Sequence, residues 1–200
     1  LSINLVTVPG NGSDIPNLLV GKNLITQTEY EHFMKYHGKV VSGSTYEPSE
    51  TGEAKNTTPA YYVSFVDAVI FCNLLSVENN LEPVYKIGER QNLTGCVSDI
   101  SEWIKDTSLG ISKVGDKYCF AWDRTKPYND NPYRQWDSIY DGGKLYTDES
   151  ANGYRLANLN EIVHIANWNI SNGFELQSYS GINEWCDAYE QNTCETGIFT

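Results

Sequence analysis

Three blocks of the chain alternate apolar and polar residues with the period of a helix. Each block opens with a residue type that caps helices and carries an acidic residue three positions later, which is the capping-box pattern. The apolar positions that follow recur at three- and four-residue spacing, so we expect three helices, each with one buried face. The capping pairs are Thr26 with Glu29, Ser64 with Asp67, and Asn158 with Glu161.

Extended apolar runs separate these predicted helices. Residues 3–8 and 18–25 flank a cluster of Gly, Asn, Asp and Pro, which predicts two paired strands joined by a turn. The first helix should then run from Thr26 to a glycine stop at Gly38. The segments "PVYKI" and "YRL" have the length of short strands, and the polar residues 39–59 indicate a surface loop.

The middle of the chain, residues 88–150, is interrupted by Gly, Asp and Asn and is dense in aromatic side chains. We expect one helical turn in "ISEWIKD" and ordered loop elsewhere. Aromatic rings bring large apolar area and, in Tyr and Trp, a polar tip. This insertion therefore either packs as an irregular lid on the core or presents a binding surface. Its candidate ligand contacts are Trp122, Tyr128, Tyr133, Trp136 and Tyr140.

Length and charge narrow the possible partners. The 200 residues fit a single domain over 1–200, and the net charge of -12 argues against nucleic acid or an anionic membrane as partner. No apolar run approaches the roughly 20 residues that cross a bilayer, so we expect no membrane span.

The chain begins at Leu1 without Met, which we interpret as a processed or trimmed product. We also expect an extracytoplasmic or cell-surface location.

The five cysteines do not suggest a zinc site, because no pair has CxxC spacing and only three histidines accompany them. Cys186 and Cys194 close a short loop, so they form either a local disulfide or two buried free thiols. Cys72 lies inside the second helical pattern, where we expect a buried free thiol.

Six segments, "VTVPG", "VGKNLITQTEYEHF", "TPAYYVSFVDAVIFCNLLS", "PVYKI", "ANGYRLANLNEIVHIAN" and "SGINEWCDAY", follow one another in an order that resembles the sulfatase-modifying-factor family. The founding member of that family is the formylglycine-generating enzyme. The resemblance implies an α+β, C-type-lectin-like fold with short twisted strands, about three helices and long ordered loops.

The resemblance also implies a calcium site. By position, Glu184 matches the family's carboxylate ligand and Gln177 replaces its usual Asn or Asp, while the carbonyls of Ser180 and Ile182 complete the set. Calcium prefers several anionic oxygens, so one carboxylate and a neutral amide predict weak binding. The alternative is that Glu184 caps or pairs with a neighbouring group. Calcium is therefore a possible ligand, and no other cofactor is predicted.

Catalytic members of the family bind copper through two cysteines separated by four residues, after an "R-G-G-S-W" segment, and neither pattern occurs in this chain. We therefore expect a non-catalytic domain that binds a protein or glycan. Some relatives in the family are products of diversity-generating retroelements, in which such a fold displays a variable, Tyr-rich ligand surface. The alternative is a fragment or divergent member of the copper-dependent oxidases. A third possibility is a structural module of a bacterial surface protein or lipoprotein, without a small-molecule ligand.

Overall fold

The computed structural model describes residues 1–35, 39–41, 44–46, 55–60, 63–88, 95–120 and 145–171. These residues form an α+β arrangement of short strands and four helices. The elements, in chain order, are β1 (Leu5–Val8), β2 (Leu18–Gly21), α1 (Gln27–Tyr30), β3 (Lys39–Val41), β4 (Ser44–Tyr46), α2 (Phe65–Glu78), β5 (Tyr85–Ile87), α3 (Ile100–Trp103), β6 (Ile111–Val114), β7 (Lys117–Phe120), β8 (Leu145–Thr147) and α4 (Leu159–Ser171).

The strands pair as four two-stranded antiparallel sheets, β1–β2, β3–β4, β5–β8 and β6–β7. The β1–β2 pair confirms the predicted opening strands. The β5–β8 pair joins distant parts of the chain, with Tyr85 opposite Thr147 and Ile87 opposite Leu145. Strand β5, which precedes the aromatic-rich insertion, therefore pairs with a strand near the end of that insertion.

Helix α2 lies at the centre of the core. Every position from Val66 to Asn73 is buried, as are Leu75 and Ser76. The prediction of a single buried face was therefore too narrow, because a helix buried on all sides belongs to the interior. Its buried polar residues are Asp67, Asn73 and Ser76.

Helix α1 is shorter than predicted. It begins after the Thr26 cap, with the expected capping box, but ends at Tyr30. The N–H of Lys35 donates to the carbonyl of Tyr118 at 2.7 Å, and the N–H of Tyr118 donates to the carbonyl of Phe33 at 2.8 Å. Strand β7 thus engages the backbone that a longer helix would need for its own hydrogen bonds.

Two hairpins stand where loops were predicted. β3 and β4 pair from Lys39 opposite Tyr46 to Val41 opposite Ser44, inside the predicted surface loop. β6 and β7 pair across a tight turn at Gly115, whose φ of +66° suits glycine. The helical turn predicted in "ISEWIKD" is confirmed as α3.

The prediction of a strand at "YRL" is wrong. The backbone N–H groups of this segment donate to side chains and do not pair with a neighbouring strand. The N–H of Tyr154 donates to the Ser76 hydroxyl at 2.8 Å, and the N–H of Leu156 donates to the Tyr85 hydroxyl at 3.0 Å. Helix α4 follows as predicted and packs through Ile165 against Val8 of β1 and its neighbours.

Candidate functional site

The carboxylate of Asp67 joins the start of α2 to the end of β7. One oxygen accepts hydrogen bonds from the N–H and hydroxyl of Ser64, the latter at 2.7 Å, within the helix cap. The other accepts the backbone N–H of Phe120 at 3.0 Å. Because both Asp67 and Phe120 are buried, this contact fixes the last residue of β7 against α2.

The Asn73 side chain makes a second connection from α2, to strand β5. Its amide donates to the carbonyl of Tyr85 at 2.7 Å, and its oxygen accepts the N–H of Tyr85 at 3.1 Å. The amide also donates to the carbonyl of Ser98 at 3.1 Å. One buried amide therefore bonds to the backbone of two separate segments. The same bonds supply the partners that a buried polar group requires.

The Ser76 hydroxyl makes a third connection, to the turn before α4. It donates to the carbonyl of Cys72 at 2.7 Å and accepts the N–H of Tyr154 at 2.8 Å. Gly153 lies so close that an added Cβ would clash with the carbonyl of Glu82 and with the Ser76 hydroxyl. Glycine at this position thus allows the two segments to approach.

Arg155 and Glu161 form a bidentate ion pair at the start of α4. One guanidinium nitrogen of Arg155 donates to a Glu161 oxygen at 2.7 Å, and the N–H of Asn158 donates to the same oxygen at 2.9 Å. Burial disfavours the ionised form of Glu161, but these hydrogen bonds outweigh it and hold its pKa below the usual value. The pair keeps the predicted capping box closed.

The two described residues that flank segment 121–144 are buried in the core. Phe120, which precedes it, and Leu145, which follows it, are buried members of one hydrophobic cluster around α2. The predicted ligand contacts all fall within this segment and lie outside the described residues. They are Trp122, Tyr128, Tyr133, Trp136 and Tyr140.

The predicted calcium ligands Gln177, Ser180, Ile182 and Glu184 also lie outside the described residues, as do Cys186 and Cys194. Within the described ranges, no group of three or more His, Cys, Asp or Glu side chains is placed to hold a metal ion. Among the helices of those ranges, none has the length and apolarity needed to cross a bilayer.

Cys72 is a buried free thiol, as predicted. Burial raises its pKa to about 12, so the thiol stays protonated at neutral pH and is a poor nucleophile. Cys119 is also a buried thiol without a disulfide, and its sulfur lies 3.1 Å from the Ser112 hydroxyl. Both side chains are shielded from solvent, whereas reactive cysteines are at least partly exposed.

The roles of Asn73 and Ser76 were not predicted from the sequence, and Asp67 was predicted only as part of a helix cap. The available signal was their position inside the otherwise apolar run "VDAVIFCNLLS". Polar residues in a fully buried helix need hydrogen-bond partners from other segments, so that run was a sign of long-range contacts.

No known protein family matches the chain, and no curated protein does. The chain is similar to the solved structure of Treponema denticola variable protein 1, with 21% identity, coverage of 79% of this chain and 48% of that chain, and a TM-score of 0.39. The matched region spans about half of that protein's length. The sulfatase-modifying-factor resemblance stays a prediction from motifs.

Proposed function

We propose that this chain is a non-catalytic ligand-binding domain on a C-type-lectin-like scaffold, and that segment 121–144 contacts a protein or glycan ligand. The observation that carries the proposal is that both flanking residues, Phe120 and Leu145, are buried in the same core cluster. A long connection held at both ends by a packed core is a common location for binding residues. An extracytoplasmic or cell-surface location is part of this proposal.

The composition of the segment suits a contact surface. Its five large aromatic residues offer apolar area with polar tips, and Tyr provides contact area at low cost in side-chain entropy. Its formal charges cancel, in a chain whose net charge is -12. A neutral aromatic surface can approach partners of either sign. The opposing charges are Arg124, Lys126, Arg134 and Lys144 against Asp123, Asp130, Asp137 and Asp141.

Side chains of α2 fix the strands that lie next to segment 121–144. Asp67 holds the end of β7, and Asn73 holds the start of β5, which pairs with the strand after the segment. Fixing the ends of a binding segment reduces the conformational entropy that is lost when a ligand binds. The buried polar groups of α2 therefore support the proposed surface without touching the ligand.

A binding experiment with matched variants tests the proposal. The full chain is applied to a glycan array and to an array of immobilised extracellular proteins. In one variant, Trp122, Tyr128, Tyr133, Trp136 and Tyr140 are all changed to Ser. In the control variant, the exposed scaffold residues Leu19, Val77 and Val114 are changed to Ser instead.

We expect the wild type and the control to bind the same defined set of array members. The aromatic variant should lose at least about tenfold in affinity, since buried aromatic contacts dominate interface energies. Circular dichroism melting should show all three proteins folded. Undiminished binding by the aromatic variant, or no binding by the wild type to either array, would contradict the proposal.

Calorimetry with Cu(I) tests the non-catalytic part separately. A domain without the family's copper-binding cysteine pair should give no tight copper binding under reducing conditions. Tight, stoichiometric binding would instead favour the copper-dependent oxidases. This result is independent of the array experiment, because it does not involve segment 121–144.

A further inference from the structure

We draw no further inference here: the strongest candidate, the exposed apolar pair Leu159 and Val163 on the outer face of α4, carries nothing because no described residue shows what covers it.

Discussion

The carboxylate of Asp67 accepts the backbone N–H of Phe120 at 3.0 Å, although the two residues are 53 positions apart in sequence. The same carboxylate closes the capping box of α2 with Ser64. One side chain therefore fixes both the first turn of the central helix and the residue that precedes segment 121–144. This double role makes Asp67 the most informative position for testing the scaffold.

Replacing Asp67 with Ala should lower the free energy of unfolding by about 3 kcal/mol. The change removes the carboxylate half of the capping box and takes this acceptor away from the buried N–H of Phe120, and both effects cost stability. Urea unfolding monitored by circular dichroism measures the loss.

Ser64→Ala is the matched control for Asp67→Ala. It removes the cap hydroxyl but leaves the bond from Phe120 intact, so we expect a loss of about 1 kcal/mol. Equal losses in the two variants would mean that the contact with Phe120 adds nothing to stability.

Gln27→Met should leave stability unchanged or raise it by about 1 kcal/mol. The Gln27 side chain is fully buried, and neither its amide nitrogen nor its oxygen has a hydrogen-bond partner among the described residues. Methionine has a similar shape and needs no partner, so the desolvation cost of the amide disappears. A thermal unfolding series compares it with Gln27→Ala, which should be destabilising because it leaves a cavity. A clear loss on Gln27→Met would indicate a bonded amide.

The stabilisation from Glu161 should depend on pH. Its folded-state pKa lies below the usual value of 4.5, so the unfolded chain takes up the proton first as the pH falls. The stabilisation is therefore complete above about pH 5 and is lost progressively as the pH falls through the lowered pKa. Near pH 7, Glu161→Gln should cost about 2 kcal/mol, because it weakens a charge-assisted pair with Arg155.

Urea unfolding of Glu161→Gln at several pH values checks this dependence. The gap between wild type and variant should shrink below pH 4, and a gap that stays constant to pH 3 would contradict the ion-pair account. Glu102→Gln is the control, since Glu102 pairs with Lys105 on the surface and such pairs contribute about 0–1 kcal/mol.

The Cys72 thiol should resist alkylation in the native protein. Burial both shields the sulfur and raises its pKa to about 12, so little thiolate forms at pH 8. Iodoacetamide labelling followed by peptide mass mapping should find Cys72 unmodified in buffer and fully modified in denaturant. Rapid native labelling would mean that α2 is less well packed than its burial indicates.

The helix starts could be predicted from sequence because capping boxes are local. Thr26, Ser64 and Asn158 each find their partners within the next turn, so short-range patterns are sufficient. The end of α1 could not be predicted in the same way. It depends on backbone bonds from β7, and Tyr118 is remote in sequence from Phe33 and Lys35.

The "YRL" segment could not be predicted for the same reason, because its hydrogen-bond partners are remote in sequence. The extended residues around Tyr154 resemble a strand in sequence, yet their hydrogen bonds go to side chains of α2 and β5. Only part of the candidate site could be predicted from the sequence pattern. Its aromatic residues were identified by composition, whereas the buried residues that hold the segment's ends became evident only from the packing of α2.

Replacing residues 121–144 with a Gly/Ser linker of equal length tests the central claim most directly. If the segment serves binding on an independent scaffold, the variant should keep a cooperative thermal transition within about 5 °C of wild type, a change worth roughly 2 kcal/mol. It should also lose binding to every array member that the wild type binds. A variant that fails to fold, or that melts far below wild type while still binding, would show that the segment packs as part of the core.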